Sequence, residues 1–265
     1  MDFQPYTPGK DNSFLFDFLE TKAGQFNNTG FIGSDPVSIP HLFQKKEDIE
    51  IAAFFAATIA WGQRTTIIRN AGRLMQLMDD SPYNFITDAE PSDLKRFSSF
   101  VHRTFNGNDV IFFIKSLQNI YKNHGGLEKV FTDAMTQDGS DAKNGLQNFR
   151  KVFFSIPFPA HTGRHVADVD AGSAAKRLNM FLRWMVRNDK RGVDFGIWKE
   201  IGMNKLYCPL DVHSAEVARK LGLLCRIQND WKAVDELTAA LRTFDAKDPV
   251  KYDFALFGLG VFEKF

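Results

Sequence analysis

Apolar residues recur at helical spacing along most of the chain. Residues 12–24 and 48–60 both carry helix-length patterns, and the second is apolar nearly all round, which predicts a helix buried inside a bundle. That pattern stops at Trp61-Gly62-Gln63-Arg64. From Thr66 onward, Ile67, Ile68, Ala71, Leu74, Met75 and Met78 restore the i, i+3, i+4 rule. Residues 61–64 are therefore expected to form a tight corner between two helices. Further helices are predicted over 92–104, 109–123, 126–135 and 143–155, the last stopped by the prolines of "PFPAH". In "AGSAAKRLNMFLRWMVR", residues 171–187, Gly172 and Ser173 supply a turn and cap, and Leu178, Phe181, Leu182, Met185 and Val186 form one apolar stripe. Lys176, Asn179, Arg183 and Arg187 fall on another stripe of the same helix. Pro209 ends the next segment, after which Asp211 caps a helix bearing Val217, Leu221 and Leu224. Two closing helices start at Asp230 and at Asp248 with Pro249. Strand signals are weak throughout, and neither an internal repeat nor a low-complexity tract is present, so the pattern predicts an all-α protein.

Composition narrows the partners. The chain has 265 residues, long enough for one large domain or two interlocked halves with a sizeable core. Its 33 basic and 32 acidic residues leave a net charge of +1, so no overall field draws it to a polyanion, and any such site must be a local patch. Two cysteines, Cys208 and Cys225, exclude a disulfide framework and a four-cysteine zinc or iron–sulfur site. The N-terminus lacks the basic start and apolar core of a signal peptide, and the longest apolar run, "IAAFFAATIAW", is about half a membrane span. The expectation is a cytoplasmic protein with no membrane partner. The 27 phenylalanines lie at helical spacings and are expected to fill the core.

Lys176 carries the chemistry. A lysine in the first turn of a helix is ordinarily a solvated residue, but here the positive end of the helix dipole and the adjacent Arg177 both disfavour an ammonium and favour the free amine. An amine in that form is a usable nucleophile. The same dipole and the backbone N–H groups of a Gly-Ser-Ala turn suit a phosphate. One short segment thus offers a phosphate cradle and an amine beside it.

"AGSAAK" resembles the hairpin of the helix-hairpin-helix DNA glycosylases, in which a glycine-containing turn holds a DNA phosphate and ends in the catalytic lysine. "CPLDVH" is similar to that superfamily's second signature, whose aspartate is catalytic, and both occur in the expected order. The likeness is closest to the 8-oxoguanine DNA glycosylase branch, including the archaeal type, and covers roughly residues 50–262. It implies two helical lobes with a helix-hairpin-helix element and an active-site cleft between them: residues 1–50 plus 177–265 as one lobe, and 51–176 as a central lobe ending in the hairpin. It also implies a base-excision-repair glycosylase with β-elimination lyase activity, removing an oxidised purine such as 8-oxoguanine from double-stranded DNA, as a monomer and without cofactor or metal. Lys176 is then the Schiff-base nucleophile, and Asp211 the carboxylate that keeps the amine reactive and stabilises the cationic sugar.

The resemblance gives further residues roles. Gly172, Ser173, Ala174 and His213 become phosphate contacts, with Ala174 standing where the hairpin has a second glycine. Gln63 and Arg64, on the corner, become the wedge that fills the gap left by an everted nucleotide. Phe257 and Asp253, on the C-terminal helix, and Trp61 become base-pocket residues, with Trp198 as a further stacking candidate. The stripe of Arg177, Arg183, Arg187, Lys190 and Arg191 is either a DNA-facing surface or an ordinary solvated face. Two alternatives come from other classes. One is a helix-hairpin-helix DNA-binding protein without chemistry. The other is a metal-dependent hydrolase built on His161 and His165, with Asp168 and Asp170 nearby.

Overall fold

The computed structural model describes residues 6–265. Its α-helices, in chain order, are α1 (Ser13–Phe26), α2 (Lys46–Thr58), α3 (Arg64–Gln76), α4 (Pro82–Asp88), α5 (Gly107–Asn123), α6 (Leu127–Met135), α7 (Ala142–Phe153), α8 (Lys176–Val186), α9 (Val212–Lys220), α10 (Trp231–Phe244) and α11 (Asp253–Gly258). Two two-residue strands, β1 (Val101–His102) and β2 (Phe105–Asn106), pair antiparallel between α4 and α5. The protein is mostly helical. No helix among the described residues is long and apolar enough to cross a membrane.

The chain divides into two compact units, one holding the N-terminal stretch up to Phe31 together with Val169–Phe265, the other Ile32–Asp168. The boundaries expected near 50 and 176 thus fall earlier. Residues 36–42 form short 3-10 turns whose Val37 and Ile39 are buried, and these turns pack on α2 and α3. At the other boundary, Gly172 is tied to the start of α10, since its carbonyl accepts from Trp231 N at 2.9 Å.

In the unit 32–168, α2 is the central helix. Residues Ile49–Thr58 are all buried, as its all-round apolar pattern demands. Phe54, Phe55, Phe105, Phe112, Phe113, Phe149 and Phe153 interlock around it, with Phe113 edge-on to Phe153 at 4.8 Å and to Phe105 at 5.1 Å. Such pairs add a little beyond the apolar area they remove from water. The helix expected over 92–104 does not form. Asp93–Phe97 is a 3-10 turn, followed by the β1–β2 hairpin, whose turn residue Arg103 is left-handed at φ 54°. Phe97, Phe100 and Phe105 are buried by this path, a tertiary gain that overrides helical propensity. Helix α4 was not expected, although its Ser81-Pro82 start, with proline at the first helical position, is a legible signal.

In the other unit, α8 is buried from Leu178 through Val186 and starts at Lys176, with Ala175 rather than Ser173 as its N-cap. Helix α11 packs against α1 and against α9, and runs on into a π-helical turn, Leu259–Glu263. Gly258 is where α1 approaches most closely: a Cβ there would lie 2.0 Å from the Phe26 ring. Trp198, a stacking candidate from sequence, is instead core, 1% exposed and edge-on to Phe181 at 5.4 Å.

Truncating Phe113 removes a ring from the centre of the aromatic cluster and leaves a cavity that rigid neighbours fill poorly. Phe113→Ala is expected to lower unfolding free energy by about 3–5 kcal/mol, read from urea denaturation with an unchanged m-value.

Candidate active site

The turn that precedes α8 is made by residues that tolerate unusual backbone. Gly172 sits at φ 86°, open to glycine at no steric cost. Ser173 forms an isolated antiparallel bridge with Asp230, and its Oγ accepts from Ala175 N at 3.3 Å. Ala174 is not in the left-handed region, so the alanine there meets no strain. Ala175, the N-cap of α8, takes that conformation instead at φ 48°, and it provides no side-chain cap. The segment ahead of the turn, Ala160–His165, is a 3-10 helix.

Lys176 is therefore the first residue of α8. It is half-buried, and its side chain makes no hydrogen bond or ion pair with any described residue. Arg177 beside it is half-buried too, and burial pushes its guanidinium down to about 10, which leaves it a cation at neutral pH. Asp211, in the other segment singled out by sequence, is the N-cap of α9 and accepts from Ser214 N at 2.8 Å. That bond fixes the orientation of the carboxylate. His213, two residues on, is exposed in the first turn.

A third carboxylate joins these two. Asp253 opens α11, is 5% exposed and is ion-paired with Arg183. Burial pushes its carboxyl up to about 6; Arg183 opposes this, Asp211 adds to it and Lys176 opposes it. Lys176 and Asp211 both therefore act electrostatically on one buried group. Cys208 lies in the same field, its thiol driven far up by burial with Asp253 and Asp211 adding to the effect, so it is not a nucleophile. Asp253, a base-pocket candidate from sequence, has its side chain engaged by Arg183.

The middle of the cationic stripe does not face solvent. Arg183 and Arg187 are 5% and 2% exposed. Arg183 donates to Asp194 at 3.2 Å as well as to Asp253. Arg187 pairs with Asp189 at 2.9 Å, Asp194 at 3.0 Å and Asp248 at 2.9 Å. Burial works against the charge on Arg187, but the carboxylates of Asp194, Asp248 and Asp189 outweigh it and hold the guanidinium above its ordinary range. Arg191 donates to the Gly24 carbonyl at 3.3 Å. Of the stripe, Lys190 alone is exposed without a partner among the described residues. Helix geometry alone shows which residues share a face; it does not show the carboxylates that fold onto that face from residues 189, 194, 248 and 253.

Phe257 is half-buried, edge-on to Phe31 at 6.0 Å and to Phe262 at 6.2 Å. In the unit 32–168, the corner between α2 and α3 has the expected form. Gly62 is at φ 103°, Gln63 is exposed as the N-cap of α3, and Arg64 is its first helical residue. Trp61 stacks on His165 at 6.1 Å and meets His102 edge-on at 5.0 Å. His102 is held between the Trp61 carbonyl and Asn70, and burial lowers its pKa, so it stays neutral. His102 and Arg103 brace the corner with Asn70 of α3, and sequence reading did not find them, because His102 and Arg103 reach it through the β1–β2 hairpin. The guanidinium of Arg103 lies so close to Gly62 that a Cβ there would be 2.5 Å from it.

His161 and His165 converge on the fully buried Asp109, each at 3.4 Å, and Thr162 donates to the same carboxylate at 2.7 Å. No group of three or more His, Cys, Asp or Glu among the described residues is placed to hold a metal ion. Of the two acidic neighbours in that stretch, Asp168 pairs with Arg150 at 3.2 Å.

Fold and site together define a mostly helical protein with an amine and a carboxylate at the starts of two helices, coupled through a buried aspartate. The chain belongs to the family described as a protein of unknown function (DUF2400), whose model matches residues 35–262. No curated protein and no solved structure matches it.

The raised Asp253 sets a stability signature. Its folded-state value lies above the 3.8 of an ordinary aspartate, so its contribution to stability is full below about pH 4 and is lost as pH rises through about 6. Relative to an Asp253→Asn variant, native protein is expected to lose unfolding free energy between pH 4 and pH 6, measured by denaturant titration at each pH. A constant difference across that window contradicts the assignment.

Proposed function

We propose that the protein is a DNA glycosylase with associated lyase activity, of the helix-hairpin-helix type, acting as a cytoplasmic monomer on an oxidised purine in double-stranded DNA. The observation that carries this reading is that Lys176, outside any ion pair at the head of α8, and Asp211, oriented at the head of α9, act on the same buried carboxyl. The Gly172 turn leading into α8 supports a phosphate cradle, since the backbone N–H groups of an uncapped helix start suit an anion.

On this reading the Lys176 amine attacks C1′ of the everted nucleotide. The new N–C1′ bond forms as the glycosidic bond breaks and the base leaves with its electron pair. Asp211 holds the attacking nitrogen deprotonated and stabilises positive charge on the sugar. Ring opening gives a Schiff base on Lys176, and loss of a C2′ proton then expels the 3′ phosphate. The chemistry uses the lysine alone as its electron sink and requires no cofactor. Gly172, Ser173, Ala174, Arg177 and His213 serve the phosphate backbone, and Phe257 the base. Gln63, exposed on a braced corner, is the wedge.

A metal-dependent hydrolase draws no support from His161 and His165, whose imidazoles turn to Asp109. A binding protein without chemistry is separated by trapping. Borohydride added to native protein with an 8-oxoguanine duplex is expected to give a covalent adduct, absent in Lys176→Gln. Asp211→Asn is expected to slow base release by roughly 10²–10³-fold, the usual loss on removing one charge-stabilising group. Tight binding with neither adduct nor released base, across a panel of lesions, rejects the enzyme.

The wedge is needed only where a stack must be broken. Gln63→Ala is expected to slow excision from a duplex while leaving excision from a single-stranded lesion oligonucleotide near the native rate, both measured in single turnover. Equal losses on the two substrates place Gln63 elsewhere in the reaction.

A further inference from the structure

Two arginines on α8 bind four carboxylates: Arg183 takes Asp194 and Asp253, and Arg187 takes Asp189, Asp194 and Asp248. The buried cluster therefore carries an excess of negative charge when all its members are ionised. Such an excess is costly in a low-dielectric interior unless a cation approaches or a proton binds. Asp253 is the member whose carboxyl is influenced by both Lys176 and Asp211. Its partner Arg183 lies seven residues, two helical turns, beyond Lys176 on the same face of α8. Its own helix, α11, packs on α9, which Asp211 caps.

We infer that Asp253 is a positioning residue for the Lys176–Asp211 pair: anchored by Arg183, its carboxylate supplies the second negative charge that a cationic sugar or Schiff-base intermediate requires. The inference rests on the glycosylase reading and assigns Asp253 a part that the resemblance did not give it. The residue does not touch substrate. It acts through the field at Lys176 and Asp211, and a proton on it removes that field.

Burial raises two carboxyls of the network, Asp248 and Asp253, and Asp253 is the one on which Lys176 and Asp211 both act. From α8 come Lys176, Arg183 and Arg187; Asp211 comes from α9, and Cys208 precedes that helix. Asp194, from the segment after α8, is bound by both arginines. From α1, Glu20 is taken by Tyr252 and Lys251, and Lys22 pairs with Glu263 of the π-helical turn. Asp248 is held by Arg187. Among these, Asp253 is pushed up to about 6 and sits within the field of both Lys176 and Asp211.

The test has one arm without nucleic acid. With ¹³C-labelled aspartate, the Asp253 carboxyl is expected to titrate near pH 6 in native protein, higher in Lys176→Gln and lower in Asp211→Asn, since each variant removes one opposing influence. A midpoint that ignores both substitutions overturns the inference, whatever the protein's activity. The second arm is the pH dependence of single-turnover base release from an 8-oxoguanine duplex. An acid limb near pH 6 is expected in native protein, its loss in Asp253→Asn with a roughly tenfold lower plateau, and partial recovery in Asp253→Glu. A limb near pH 6 that survives in Asp253→Asn also overturns it. Should the native protein release no base while the carboxyl midpoint still responds to both variants, the glycosylase reading fails and the electrostatic coupling stands.

Discussion

The buried ion network on α8 is the constraint around which the N- and C-terminal unit is organised. Two guanidinium groups removed from water must be compensated from all sides, and the carboxylates that do so come from Asp189 and Asp194, just after α8, and from the distant Asp248 and Asp253. Leaving one such charge unpaired in the interior costs about 3–5 kcal/mol, so the segments that supply the carboxylates are held in register by the arginines. Arg183 and Arg187 also lie over the Phe254 ring, with guanidinium carbons 4.3 Å and 5.5 Å from its centre, which adds a cation–π contribution. The last turn of α8 and the first residue of α11 are consequently fixed with respect to each other.

That fixing is what gives the amine and the carboxylate their setting. Lys176 lies at the start of the helix that carries both arginines, and Asp211 caps the helix on which α11 packs. The network is structural in its middle and becomes electrostatic at its end, where Asp253 faces a lysine outside any ion pair and an oriented aspartate. A helix start contributes its own partial positive charge at Lys176, so the local field is set by three opposed terms, two of them carboxylate and one backbone dipole. Small changes in any of them alter the balance of charge near the amine.

The unit 32–168 is built on a different principle. Its core is aromatic, and its corner between α2 and α3 is rigid because Trp61 is gripped by His102 and His165, while His165 in turn rests on the buried Asp109. The gripping residues come from a hairpin and from a 3-10 turn, elements that leave weak traces in a sequence. An exposed glutamine on such a mount has a fixed base and a free tip.

Most helices were legible because burial of one face imposes a 3.6-residue rhythm, and α2, α5, α6, α7 and α10 fall close to where that rhythm places them. The corner at Trp61–Arg64 and the caps at Asp211 and Asp230 were likewise legible, since glycine and aspartate announce such turns by their own backbone and side-chain chemistry. Where the rhythm met tertiary competition it failed: residues 93–106 exchange helix for a hairpin because that path buries Phe97, Phe100 and Phe105. The same limit applies to charge. By itself the sequence determined that Arg183 and Arg187 share a face of one helix and that Lys176 opens it. Only the tertiary structure decided that this face turns inward, because the carboxylates that neutralise it arrive from three other segments, and the energy of a buried charge depends on partners that no local pattern records.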